Sequence, residues 1–133
     1  MDYQVASAVE KKSDSSGILE ILDGTNLPFT PKRIYWIRDV PEGVTRGHHA
    51  HMTLRQAALM IAGTMTIELT DHLETIEVEL VNDGKILLIE PGYWRVMKNF
   101  SDDAILMVLA DSIYDEGDYI RDWAEYIDWK KNG

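Results

Sequence analysis

The sequence predicts an all-β fold, a small sandwich or barrel of antiparallel strands finished by one short C-terminal helix. Three observations predict it. Strand-like runs recur between residues 17 and 110 at the roughly 8–12-residue spacing of sandwiches and barrels, each closed by a turn signal. Two of the runs alternate apolar and polar residues with a period of two. Near the C-terminus the apolar period becomes helical. At 133 residues the chain suits one core rather than two, so 1–133 is read as a single domain.

The elements follow in order. GILEIL (17–22) stops at Asp23-Gly24, and RIYWI (33–37) runs into Val40-Pro41-Glu42-Gly43. QAALMIAG (56–63) closes on Gly63. TMTIEL (64–69) puts Met65, Ile67 and Leu69 on one face, and IEVEL (76–80) does the same with Ile76, Val78 and Leu80. Asn82-Asp83-Gly84 turns the chain into KILLIE (85–90), and Pro91-Gly92 turns it again. AILMVLA (104–110) is continuously apolar, as for a strand buried on both faces. In DYIRDWAEYIDWKK, Tyr119, Ile120, Trp123, Tyr126 and Ile127 fall at helical spacing, with Asp118 as the expected N-cap and Lys130-Lys131 at the C-terminal end. Residues 1–16 read either as a frayed end or as a strand that needs a partner.

Composition narrows the function. Hydrophobic residues make up 45% and charged residues 27%, an ordinary globular composition that argues against disorder. No apolar run approaches the ~20 residues of a bilayer span, and the N-terminus lacks a signal-peptide core. The absence of cysteine excludes disulfides, thiolate catalysis and Cys-ligated zinc. A cytoplasmic protein is expected. A net charge of −10 argues against binding nucleic acid or an anionic membrane. The charge is uneven. Residues 31–55 carry Lys32, Arg33, Arg38, Arg46 and Arg55 against Asp39 and Glu42, whereas 101–128 carry nine acids against Arg121. Either the acidic faces simply keep the protein soluble, or the basic stretch holds something anionic.

Three of the four histidines lie in Arg46-Gly47-His48-His49-Ala50-His51. If this segment is extended, His49 and His51 share one face and His48 takes the other. Two imidazoles converging on one side of a sheet suit metal ligation or proton transfer. The spacing from Gly43 through His49, His51 and Gln56 to Gly63 resembles the first motif of the cupin superfamily. Gly84, Pro91-Gly92, Arg95 and Asn99 fit the second motif loosely. In cupins that hold a metal, a glutamate stands where Gln56 is and a third histidine about where Arg95 is. A guanidinium cannot ligate, and two imidazoles are too few for a stable transition-metal site. The pocket is therefore read as metal-free and cofactor-free, with His49 and His51 available for acid–base work.

A narrower resemblance rests on RIYWIRDVPEGVTRGHHAH, EPGYWRVMKNFS and VLADSIYDEGDYIRDW. These stretches resemble the sugar 3,4-ketoisomerases, and GILEILDGTNLPFTPKR is similar to their N-terminal strand and loop. The resemblance covers about residues 16–127. It implies a small cupin (jelly-roll) barrel without metal, forming a homodimer that exchanges N-terminal strands, with 1–16 as the exchanged segment. The implied substrate is dTDP-4-keto-6-deoxyglucose, whose carbonyl moves from C4 to C3 ahead of a transaminase. Such a step supplies 3-amino sugars, as for O-antigen or S-layer glycans.

The residues point to a mechanism. A base removes the C3 hydrogen, which the neighbouring carbonyl acidifies, and an enediol or enediolate forms. Return of a proton to C4 completes the shift. A neutral imidazole, with an ordinary pKa of ~6.5, suits this. His51 is the expected shuttle, with His49 moving protons between the two oxygens. Arg46 and Tyr35 are candidates to steady the negative oxygen, and Arg46 is equally a candidate for the diphosphate. Arg33 and Arg95 are further substrate-binding candidates, Arg95 pairing with an acid as its alternative. Gln56 orients His51 or packs. Trp94 and Phe100 stack on thymine or fill the core. Asp118 and Tyr119 read as cap and core. The alternatives are a nucleotide-sugar 3,5-epimerase, which pairs a histidine with an aspartate not evident near His49 or His51, and a non-catalytic sugar-binding cupin.

Overall fold

The computed structural model describes residues 4–7 and 9–132. Among these described residues there are twelve strands and one α-helix. The strands are β1 (Gln4–Ser7), β2 (Glu10–Asp14), β3 (Gly17–Ile21), β4 (Arg33–Arg38), β5 (Arg46–His51), β6 (Gln56–Ala62), β7 (Thr64–Thr70), β8 (Thr75–Val81), β9 (Lys85–Ile89), β10 (Trp94–Lys98), β11 (Ile105–Ala110) and β12 (Tyr119–Ile120). A single 3-10 turn, Glu116–Asp118, precedes β12, and α1 spans Trp123–Asn132. Every run expected between 17 and 110 forms a strand close to its expected limits. No helix among the described residues is long and apolar enough to cross a membrane.

Two five-stranded antiparallel sheets face each other in the orders β1-β9-β6-β11-β4 and β12-β5-β10-β7-β8, and β2-β3 forms a separate hairpin. Alternation decides what lies between the sheets. Met65, Ile67 and Leu69 of β7 and Leu80 of β8 meet Ala58 and Met60 of β6, Leu87 and Ile89 of β9 and Leu106 and Val108 of β11. The opposite faces of β6, β9 and β11 give Ala57, Leu59, Ile86, Leu88 and Leu109, which Leu22, Leu27 and Phe29 cover. Arg55 fastens that covering segment, reaching the Pro28 carbonyl at 3.1 Å while gripping Glu90 with two bonds of 2.9 Å.

The expected C-terminal element is corrected at its start. Tyr119 and Ile120 form β12 and pair with His51 and Ala50. The helix begins four residues later, with Asp122 as its cap: its Oδ2 accepts from Glu125 N at 2.9 Å and its carbonyl from Tyr126 N at 2.9 Å. Asp118 does not cap, because donors from the β5–β6 connection occupy its carboxylate. The helix packs through Tyr126 onto Ala50, Trp94 and Ile120, and the Tyr126 hydroxyl donates to the carbonyls of Thr70 and Gly92.

The N-terminal segment does have a place. β1 adds to the sheet edge beside β9, pairing Val5 with Leu87 and Ala6 with Ile86 within the same chain. Met1–Tyr3 and Ala8, part of the segment expected to exchange between subunits, lie outside the described residues.

Candidate active site

The site is built on β5, and glycine shapes it. Gly47 adopts φ 91°, and a Cβ there would stand 2.9 Å from the Arg95 carbonyl. No other residue fits without moving β10. His48 follows with φ 58°, opposite a register shift between Arg95 and Val96. His48 turns outward to Thr45 Oγ1 at 2.8 Å. His49 and His51 turn inward, their ring centroids 5.0 Å apart and their planes nearly perpendicular. The expected pairing of the two imidazoles, with His48 apart, therefore stands in the geometry.

Cross-strand neighbours complete the arrangement. Arg95 of β10 lies directly opposite His49, and Tyr119 of β12 directly opposite His51. The Tyr119 ring touches both histidines, with centroids 4.3 Å from His51 and 4.9 Å from His49. The Arg121 guanidinium covers Tyr119 at 4.1 Å, itself held by Glu116 at 2.7 and 2.9 Å. His51 Nδ1 lies 3.2 Å from Asp118 Oδ2, and His49 Nδ1 lies 3.0 Å from the Gly47 carbonyl. Since a carbonyl only accepts, His49 carries its proton on Nδ1 and presents a bare Nε2.

Each expected site residue has a definite position. Arg33, Tyr35, Arg46 and His49 line one open cavity together with Tyr119 and Arg121. Arg33, Arg46 and Arg121 bring three guanidinium groups to its lining, the last of them paired with Glu116. Arg33 also stacks on Tyr35 at 4.8 Å. His51 is buried and borders a second, smaller cavity with Arg33, Thr53, Asp118 and Tyr119. Gln56 lies at the base of the barrel interior, where its Nε2 donates to the Tyr35 hydroxyl at 3.0 Å and its Oε1 accepts from Arg95 Nη1. It touches Tyr35 and Arg95 rather than orienting His51. Arg95 is 3% exposed and also donates to the Tyr93 carbonyl at 3.2 Å, so its guanidinium faces the barrel interior rather than an acid. Trp94, one residue earlier, points the other way. It packs beneath α1 against Trp123 and Tyr126 and is not brought to the histidines. Phe100 joins the main core.

The electrostatics follow from burial beside a cation. Desolvation, then the Arg95 charge, push His49 down to about 4. The same two causes, with His49 itself, hold His51 well below the usual histidine range, although Asp118 opposes them. Both imidazoles are neutral at pH 7. Burial raises the Tyr35 hydroxyl above its ordinary value, so it stays protonated and can donate. The site can thus accept a proton at an imidazole and steady an oxyanion with Tyr35 or an arginine.

Asp118, Tyr119 and Arg121 are the members of this site that sequence reasoning did not assign. The stretch YDEGDYIRDW marked them as distinctive, but their spacing from the histidines gave no sign of contact. Asp118 is also the aspartate partner whose apparent absence counted against an epimerase, so that ground for exclusion falls.

The chain matches the family described as FdtA: WxcM-like, C-terminal, over residues 1–131. The TDP-4-oxo-6-deoxy-alpha-D-glucose-3,4-oxoisomerase of Aneurinibacillus thermoaerophilus is 37% identical over 123 residues, 92% of this chain and 86% of that protein. QdtA, a sugar 3,4-ketoisomerase from Thermoanaerobacterium thermosaccharolyticum solved in complex with TDP, superposes with a TM-score of 0.93 at 35% identity, over 98% of this chain and 95% of that one. A 3,4-ketoisomerase from Helicobacter canadensis superposes with a TM-score of 0.92 at 37% identity, over 98% of each chain.

Proposed function

The chain belongs to the FdtA family of TDP-sugar 3,4-ketoisomerases, and from that premise we propose that it moves the carbonyl of a TDP-4-keto-6-deoxyhexose from C4 to C3. The observation that carries the reading is the pair of neutral imidazoles, 5.0 Å apart, beside a cavity lined by Arg33, Arg46 and Arg121. A diphosphate meets the guanidiniums, which places the hexose over the rings.

His51 takes the C3 proton on its bare nitrogen. The C3–H electron pair becomes the C3–C4 double bond, and the former carbonyl oxygen takes the negative charge. Tyr35, protonated and near Arg33, donates to that oxygen. His49 moves the hydroxyl proton between the two oxygens. His51 returns its proton to C4, and the carbonyl is left at C3. No atom is gained or lost and no redox cofactor is required. The buried Arg95 cation disfavours a divalent ion beside the histidines, which fits a metal-independent reaction.

A homodimer fits the surface. Ile34, Trp36 and Ile61 stand exposed at 52%, 59% and 44% around Met107 on the outer face of the first sheet, and hairpin β2-β3 exposes Ile18 and Leu19. A second copy would cover this patch.

The His51–Asp118 pair keeps the 3,5-epimerase alternative testable. The deciding experiment is incubation with TDP-4-keto-6-deoxyglucose followed by NMR of the product. A ketoisomerase yields a C3 carbonyl. An epimerase leaves the carbonyl at C4 and exchanges the hydrogens at C3 and C5. A binding protein leaves the sugar unchanged.

A further inference from the structure

Asp118 is committed in an unusual way for a residue on a short surface turn. Its Oδ1 accepts from Thr53 N at 2.8 Å and from Thr53 Oγ1 at 2.7 Å. Its Oδ2 accepts from Leu54 N at 3.2 Å and faces His51 Nδ1 at 3.2 Å. Its backbone carbonyl accepts from Met52 N at 3.0 Å, and its backbone N–H donates to Asp115 at 3.1 Å. Carboxylate and backbone are therefore fixed from both sides of the β5–β6 connection. Burial alone would raise this carboxyl, but the donors from Thr53 and Leu54 outweigh it and hold the group ionised.

An ionised carboxylate has no proton to give, so the hydrogen between the two residues sits on His51 Nδ1. The Nε2 of His51 then carries the lone pair. It is buried and has no hydrogen-bond partner among the described residues. Arg95, Tyr119 and His49 surround the ring on its other sides and supply no carboxylate. Among the described residues, Asp118 alone offers negative charge in contact with this imidazole.

We propose that Asp118 is a positioning residue for the isomerisation: it locks His51 in the Nδ1–H tautomer, aims Nε2 at the C3 hydrogen, and steadies the imidazolium that forms once Nε2–H replaces C3–H. This rests on the ketoisomerase reading given above. Asp118 works against the burial and the Arg95 charge that lower the basicity of His51. The charge His51 gains forms against a carboxylate already fixed in place, so little reorganisation accompanies the step. Thr53 belongs to the same device, since two of its groups hold Asp118 Oδ1.

The test uses the full chain and two readouts. Nitrogen-15 NMR of histidine-labelled protein reads the His51 tautomer without substrate, and steady-state kinetics with TDP-4-keto-6-deoxyglucose reads the chemistry. Wild type shows His51 protonated at Nδ1. Asp118→Asn populates the Nε2–H tautomer and lowers kcat by roughly 10–100-fold, with KM changed by less than about threefold. Thr53→Val, a milder change, lowers kcat in the same direction and by less. A wild-type His51 protonated at Nε2, or an Asp118→Asn protein that folds and turns over at the wild-type rate, overturns the proposal and leaves the ketoisomerase reading intact. A correct tautomer in a wild type that does not isomerise the sugar overturns the ketoisomerase reading instead, and with it the catalytic role claimed for Asp118.

Discussion

Inside the barrel Arg95 donates a guanidinium N–H to the side-chain oxygen of Gln56. In metal-holding cupins these two positions supply an imidazole and a carboxylate. Here they are engaged with each other, and the guanidinium lies opposite His49 in the strand register. One pair thus takes up two places where ligands would stand, and the Arg95 charge adds to burial in keeping the His49 and His51 imidazoles neutral.

Metal independence is the outcome to expect from this arrangement. Turnover should survive EDTA, and purified protein should hold no stoichiometric zinc, iron or manganese. Loss of activity on chelation, restored by one particular metal, would contradict this role for Arg95.

The histidines should separate sharply. His51→Asn keeps size and polarity but removes a base, so kcat should drop by about 10²–10⁴-fold while the melting temperature changes little. His49→Asn should also slow turnover. His48→Asn should be close to wild type, because His48 faces outward to Thr45. A folded His51→Asn protein with near wild-type kcat would assign the base elsewhere, starting with Tyr35.

The cavity arginines should act on affinity. Arg46→Ala should cost about 1.5–3 kcal/mol of transition-state binding, the range of a charge-assisted bond, and thus about tenfold to a hundredfold in kcat/KM. Arg38→Ala, an exposed side chain 3.6 Å from Asp39, is the control and should do little. Equal small effects from both would remove Arg46 from the site.

Acid should weaken the fold in a window set by the histidines. An unfolded histidine titrates near 6.5, whereas His49 in the fold titrates at about 4. Between those values the unfolded chain binds the extra proton, so stability falls as pH is lowered through the window, by up to about 1.4 kcal/mol per unit for each neutral histidine. Carboxylates held low, such as Glu116 at about 2, add their loss only at more acid pH. Denaturant midpoints from pH 7 to pH 4.5 read this directly, and removing the two imidazoles should flatten the curve. In the same window kcat/KM should not show an acid limb near 6.5, since the bases stay neutral.

Light scattering at micromolar concentration should give about twice the chain mass, because an exposed apolar patch containing Trp36 and Ile34 is covered most simply by a second copy. Trp36→Asp should shift the protein toward monomer without unfolding it. A wild-type monomer would remove the dimer and leave the barrel unaffected.

What the sequence determined by itself was local. Period-two alternation placed Met65, Ile67 and Leu69 inside and put His49 and His51 on one face, because side-chain direction along a strand depends only on the strand's own geometry. Turn residues set the strand limits for the same reason. The identities of Gln56 and Arg95 already spoke against a metal. The tertiary structure alone decided what meets across the fold. Asp118 is 67 residues from His51. By local preference an aspartate before an amphipathic run is a cap, but β12 pairs with β5 and brings Asp118 to the amides of Thr53 and Leu54, so Asp122 caps instead. Tyr119 left its helical spacing through the same pairing. Trp94 and Arg95 show how fine the decision is: adjacent in sequence, they were sent to opposite faces by the pleat of β10, one beneath the helix and one into the barrel beside the histidines. Which face became the interior depended on the register of β10 between β5 and β7, which is a property of the assembled sheet and not of any segment alone.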